Sequence, residues 1–183
     1  MDIGQVKTKY KAIKFLMIEN FKVKSFRELI PNILPGTVYN IITQIRVNPY
    51  TFLLDAIDKY KTIEELYIVT YRISEKAMNN IKYMIDNNLI KNTTLLVNDN
   101  YETLMKDKAQ VLINMNNDLD NFTLIKKNSH AKITLIKVKD KHIVISGSGN
   151  YSANPKIEQY QMIDNKELYN FHKEWIEESK GRL

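Results

Sequence analysis

The chain has 183 residues, 44% of them hydrophobic, no cysteine, and a formal net charge of +6. That length buries one substantial core, and the missing cysteine excludes disulfides and thiolate metal sites. The basic balance favours a polyanionic partner, nucleic acid ahead of an anionic membrane surface, although a Lys-rich composition also occurs without one. No apolar run approaches the length of a bilayer span, and no stretch has the build of a secretory leader. The expectation is a cytoplasmic protein that does not enter the membrane.

Residues 1–35 are basic and apolar together. Lys7, Lys9, Lys11, Lys14, Lys22 and Lys24 are interleaved with Tyr10, Phe15, Phe21 and Phe26. Such a segment can be an arm that stacks on nucleic-acid bases. The favoured reading is an extension packed on the domain, its apolar residues inward and its lysines wet. Pro31 and Pro35-Gly36 close it, and residues 36–183 form the domain itself.

From Gly36 onward, strand and helix patterns alternate. VYNIITQIR (38–46) is rich in β-branched residues and predicts a buried strand. Asn48-Pro49 starts a helix, with Pro49 suited to its first turn and Phe52, Leu53, Ala56, Ile57 and Tyr60 on its apolar face. ELYIVTYRI (65–73) predicts a second strand. Ser74 caps a helix carrying Ala77, Met78, Ile81, Met84 and Ile85. NTTLLVND (92–99) is a third strand, followed by a helix over about 101–115 and a strand FTLIKK (122–127). The order β-α-β-α-β-α-β predicts an α/β sheet flanked by helices. The chain closes with a strand EQYQMID (158–164) and a helix whose inner face is Leu168, Phe171, Trp175 and Ile176.

The chemistry concentrates in residues 130–158, HAKITLIKVKDKHIVISGSGNYSANPKIE. Two strands joined by a polar turn are expected there. His130 and Lys132 are two apart, so on an extended strand they share a face. Gly147, Ser148, Gly149 and Asn150 follow the second strand, and Glu158 opens the next. An imidazole can attack phosphorus, an ammonium can neutralise phosphoryl oxygens, and Ser and Asn can donate to them. Taken alone, the GSGN run reads as an ordinary glycine turn.

In order, His130-Ala131-Lys132, Gly147-Ser148-Gly149-Asn150 and Glu158 resemble the HxK…GSxN (HKD-type) signature of the phospholipase D superfamily. The resemblance covers about residues 36–179. It implies a mixed, mostly parallel sheet with helices on both faces. It also implies metal-independent phosphodiester chemistry with no cofactor. His130 would be the nucleophile, Lys132 and Asn150 would stabilise charge, and Glu158 would orient His130. Ser148, Gly147 and Gly149 would bind the substrate. Two departures stand out. The family's usual Asp, five residues after the Lys, is Lys137 here, and the run from Lys132 to Gly147 is about three residues longer. Asp140, in the lengthened turn, is a candidate for the missing Asp's structural role. The mechanism needs two histidines while the chain has one HxK, so the expectation is a homodimer with a composite site.

Arg46 and Arg72, with Tyr71 and Tyr151, fall near the predicted strand ends, where open α/β sheets bind ligands. Each is equally readable as a structural group. His142 and His172 read as surface or boundary histidines. Asp99, Asp118 and Asp120 show no metal-ligand grouping. There is no phosphate-binding P-loop and no serine-hydrolase elbow. Three functions stay open: a nuclease cleaving DNA or RNA, a catalytically weak nucleic-acid-binding protein on the same scaffold, and a lipid phosphodiesterase.

Overall fold

The structure, a computed structural model, describes residues 12–18, 30–43, 48–152 and 156–181. Eight strands form one sheet in the order β1-β2-β8-β7-β6-β3-β4-β5. These are β1 (Ala12–Ile18), β2 (Thr37–Thr43), β3 (Ile63–Thr70), β4 (Ile90–Val97), β5 (Phe122–Lys126), β6 (Ile133–Val138), β7 (Lys141–Gly147) and β8 (Glu158–Asp164). The helices are α1 (Tyr50–Tyr60), α2 (Glu75–Asp86), α3 (Tyr101–Met105), α4 (Ala109–Asp118) and α5 (Lys166–Glu178).

The sheet is not mostly parallel, which corrects the expectation. Pairs β1-β2, β3-β4 and β4-β5 are parallel, whereas β2-β8, β8-β7, β7-β6 and β6-β3 are antiparallel. Connection length is the cause. A parallel return needs a crossover of a dozen residues or more. Only residues 127–132 join β5 to β6, and a two-residue turn at Lys139-Asp140 joins β6 to β7. The second half of the chain therefore zigzags between the two parallel segments.

Two apolar layers cover the sheet. Successive residues of β7 alternate between them, Ile143 and Ile145 in one and Val144 in the other, as the two-residue strand period requires. The first layer takes the buried faces of α1, α2 and α4, including Phe52, Leu53, Met78, Ile81 and Leu112. The second takes Tyr169 and Ile176 of α5. Phe171, expected on the inner face of α5, is exposed, and Tyr169 is buried in its place.

Local signals set the helix starts. Ser74 Oγ accepts from Ala77 N (3.2 Å) at α2, and Asn165 Oδ1 accepts from Leu168 N (2.8 Å) at α5. Asn48 Oδ1 accepts from Tyr50 N (3.0 Å) ahead of α1. The helix expected over 101–115 is broken. Lys106 has φ 50 and ends α3, a left-handed conformation that no α-helix continues through. A 3-10 turn (Lys106–Lys108) leads into α4. Within residues 1–35, β1 supplies an edge strand that the sequence pattern does not announce. The predicted strand 38–46 is described as far as Thr43, and residues 44–47 lie outside the described residues.

Candidate active site

Antiparallel zigzagging brings the motif to one end of the sheet. Strands β2, β3, β4 and β7 finish there, and β6 and β8 begin there. His130 and Lys132 lie in the run just before β6, not within a strand. Gly147 N still donates to Lys132 O (3.2 Å), so the sheet pairing carries on to the lysine.

Lys132 Nζ lies 3.0 Å from His130 Nδ1 and 2.7 Å from the His130 carbonyl oxygen, to which it donates. An ammonium has donors and no acceptor. With the ammonium as the donor, Nδ1 is the acceptor, the arrangement of the tautomer whose hydrogen is on Nε2. The Tyr71 ring flanks the imidazole, with centroids 4.9 Å apart and planes at 43°. His130 is exposed and Lys132 half-buried. Burial pushes the Lys132 ammonium below the ordinary lysine range, and the Glu158 carboxylate opposes that push.

The loop after β7 is held by close packing. A β-carbon on Gly147 would come within 2.3 Å of the Gln159 carbonyl oxygen, and one on Gly149 within 1.9 Å of the Tyr160 hydroxyl. Only glycine fits at either place. Ser148 Oγ donates to Glu158 Oε2 and accepts from Gln159 N (3.0 Å). Glu158 is buried, and the Thr43 hydroxyl donates to its carbonyl oxygen (3.2 Å).

Asn150 reaches across to the end of β3. Its Oδ1 accepts from Thr70 Oγ1 (3.3 Å) and from Arg72 N (3.2 Å). Among the described residues its Nδ2 has no hydrogen bond, which leaves that donor for a ligand. Thr70 Oγ1 also accepts from Tyr151 N (3.3 Å), and Ser74 N donates to Tyr151 O (2.8 Å). This stitching fixes the GSGN loop on β3. Tyr151 itself is core, 1% exposed, with its hydroxyl 2.7 Å from Thr134 Oγ1. It lies beneath the loop and lines the hollow that contains Lys132.

Arg72 is exposed beside the site, its guanidinium 5.7 Å from the centre of the Tyr71 ring. Arg46 lies outside the described residues. Thus His130, Lys132, Ser148, Asn150, Glu158 and Arg72 share one end of the sheet. Spacing in the sequence gave no sign of Thr70, and Tyr71 stood out only by its place at a strand end. Tyr160 had one available signal, the two glycines of the loop, whose need for close packing implies a bulky neighbour.

Lys137 is elsewhere. It stands near the other end of β6, paired in register with Glu65, and its Nζ is 3.3 Å from both Glu64 and Glu65 carboxylates. Those carboxylates hold its ammonium above the ordinary lysine range. Lys173 also reaches Glu65 (2.6 Å). Although burial pushes the Glu65 carboxyl upward, Lys173 and Lys137 together hold it below the usual glutamate range. Asp140 belongs to the turn at that same far end, beyond reach of the motif. His142 lies edge-on to Tyr169 (5.3 Å), and its backbone N donates to Asp164 Oδ1 (2.9 Å). His172 Nδ1 accepts from Trp175 Nε1 (3.0 Å), and burial pushes the imidazole's pKa down. Among the described residues, no group of three His, Asp or Glu side chains is placed to hold a metal ion. No described helix is long and apolar enough to cross a membrane.

No family model matches the sequence, and no curated protein matches it. Solved structures do. Phosphatidylserine synthase of Haemophilus influenzae Rd KW20 superposes with a TM-score of 0.55 at 11% identity, over 80% of this chain and 39% of that one. Polyphosphate kinase of Porphyromonas gingivalis gives 0.56 at 15% identity, over 86% and 28%. TrmBL2, an archaeal chromatin protein with a novel mode of DNA binding, gives 0.51 at 14% identity, over 85% and 57%. The chain spans less than two-thirds of each of these structures. The likeness is one of fold: this chain shares its architecture with part of phosphatidylserine synthase, of polyphosphate kinase and of TrmBL2.

Proposed function

We propose that the chain is a metal-independent phosphodiesterase of the phospholipase D type that cleaves nucleic acid. The observation that carries this reading is the pairing of His130 Nδ1 with Lys132 Nζ at 3.0 Å, on a sheet end that also holds Ser148, Asn150, Glu158 and Arg72. The net charge of +6 suits a polyanionic substrate.

In the first step, an imidazole nitrogen of His130 attacks phosphorus. The P–N bond forms as the bond to the leaving oxygen breaks, and that oxygen takes the electron pair. The His130 of a second copy protonates the leaving oxygen. It then removes a proton from water, whose oxygen attacks phosphorus and releases the first histidine. Lys132, Arg72 and the Asn150 amide stabilise the phosphoryl oxygens.

In the acidic copy His130 acts as the imidazolium, both ring nitrogens carrying hydrogen once Lys132 is drawn to the phosphate; it gives one proton to the leaving oxygen and becomes the neutral base for water. In the nucleophilic copy, the incoming phosphate draws Lys132 away from Nδ1. Nδ1, which carries no hydrogen, is then free to attack phosphorus, while Glu158 would accept from Nε2–H and orient the ring. His142 and His172 are held in structural contacts, so the second histidine comes from a twofold dimer.

Cleavage of labelled single- and double-stranded DNA and RNA in EDTA, by wild type and His130→Ala side by side, tests this reading. EDTA-resistant cutting that the variant lacks is the expected result. Cutting that the chelator abolishes, or that the variant retains, would overturn it. A second reading has its own support in the DNA-binding neighbour: a nucleic-acid-binding protein whose site holds a backbone phosphate without turnover. Tight binding with no cutting by either protein would select it.

A further inference from the structure

The chain leaving β3 is fastened to the GSGN loop on both sides of Tyr71. Before it, the buried Thr70 accepts from Tyr151 N at Oγ1 (3.3 Å). After it, Arg72 N donates to Asn150 Oδ1 (3.2 Å), and Ile73 pairs with Tyr151 as an isolated bridge. Ser74 N donates to Tyr151 O (2.8 Å). Thr70 Oγ1 also lies 2.8 Å from Arg72 O, which closes a turn around Tyr71. The backbone that carries this half-buried ring is therefore fixed to the sheet.

His130 has no such fastening. It is exposed and sits in the run between β5 and β6, outside either strand. Two side chains hold its imidazole. Lys132 Nζ lies 3.0 Å from Nδ1, and the Tyr71 ring flanks it with centroids 4.9 Å apart and planes at 43°. The first contact is given up when Lys132 turns to a phosphate. The second uses neither a ring nitrogen of His130 nor any group that binds the phosphate, so it persists through both chemical steps.

A tilted ring pair at this separation is favourable. The face of a tyrosine ring also attracts positive charge, so the contact suits the imidazolium of the acidic copy as well as the neutral nucleophile. Arg72 places its guanidinium over the same ring, 5.7 Å from the centre. Among the described residues the Tyr71 hydroxyl has no hydrogen bond, so the ring carries these contacts and the hydroxyl does not.

We propose that Tyr71 is a positioning residue: its ring, anchored through Thr70 and Arg72 to the GSGN loop, keeps the His130 imidazole aimed at phosphorus when Lys132 moves to the phosphate. The inference rests on the nuclease reading above. Its test compares wild type, Tyr71→Phe, Tyr71→Leu and Tyr71→Met in kcat and KM on the DNA or RNA that wild type cuts in EDTA. Proton NMR of the free proteins looks for the Overhauser contact between the two rings and the ring-current shift of the His130 signals. Tyr71 is half-buried and the replacements are apolar, so the fold should survive. Thermal melts check it, and the methionine variant stands in where the leucine one does not fold.

Tyr71→Leu and Tyr71→Met should lower kcat about fivefold to tenfold, the scale of an aromatic pair, with KM within about twofold of wild type. Tyr71→Phe keeps the ring and should restore both kcat and the NMR contact. An unchanged kcat in a folded variant without the ring, a loss that Tyr71→Phe does not restore, or no contact between the rings in wild type would overturn the proposal. Each of these leaves the nuclease reading standing. A raised KM with unchanged kcat would tie Tyr71 to Arg72 instead, and so reject it. Failure of wild type to cut any nucleic acid would overturn both.

Discussion

The Tyr160 hydroxyl fills the space that a β-carbon on Gly149 would need, 1.9 Å from its position. Tyr160 is buried and stacks edge-on against Phe52 of α1, centroids 5.2 Å apart. The loop that presents Ser148 and Asn150 is thus pressed onto the core through one ring. Gly149→Ala should cost about 1–3 kcal/mol by overpacking. In a chain of this size that is a fall of several degrees in the melting temperature, at ~2–4 °C per kcal/mol. Turnover should fall further than stability, since the displaced loop carries Asn150. Tyr160→Phe should restore little, because Tyr160 Cζ would still be 2.8 Å from the new carbon.

Much of this arrangement is legible in the sequence. The spacing of His130, Lys132, Ser148, Asn150 and Glu158 picks out residues that the fold gathers at one end of the sheet as a candidate site, and the alternating apolar patterns mark most strands and helices. The antiparallel half of the sheet is also written there, in the shortness of residues 127–132 and of the Lys139-Asp140 turn. What could not be read is tertiary. Tyr71 reaches His130 from another strand end, and Thr70 takes Asn150 from 80 residues away. No local pattern records such pairings. The break at Lys106 was hidden as well, because lysine is an ordinary helix former.

Lys137 is integrated where it stands. Replacing it with Asp would set three carboxylates, Glu64, Glu65 and the new one, against each other across β6 and β3. The expected result is a loss of up to about 1 kcal/mol, the scale of a partly exposed ion pair, and it should shrink in high salt. No gain in turnover is expected, because the residue lies away from His130. Denaturant melts at low and high salt, with rates on a phosphodiester substrate, would check both parts.

Lys132 sets an alkaline limit. Burial lowers its pKa, so its charge is lost at a pH below the ordinary lysine value of about 10.4. Activity that depends on the ammonium should decline on that alkaline limb. Glu158→Gln keeps an acceptor for the Ser148 hydroxyl and removes the negative charge that favours the ammonium. The alkaline limb should then move to lower pH. A limb unmoved in Glu158→Gln would separate it from Lys132.

His172 makes stability depend on pH. Its folded pKa lies below the unfolded value of about 6.5, so between the two the unfolded chain binds the proton more readily. Stability from this group is therefore intact above pH 6.5. It is lost as pH falls through that value toward the folded pKa. In thermal melts at pH 7.5 and 5.5, wild type should lose more stability on acidification than His172→Gln. Equal losses would show that the imidazole titrates as freely folded as unfolded.

The claim on which the rest depends is covalent attack by His130. A single turnover on a short oligonucleotide, quenched in alkali and digested for mass spectrometry, tests it most directly. The expected product is a phosphoryl adduct on the peptide containing His130, present during turnover in wild type and missing in His130→Ala. Product formation with no adduct at any time, or with the adduct on another residue, would contradict the mechanism.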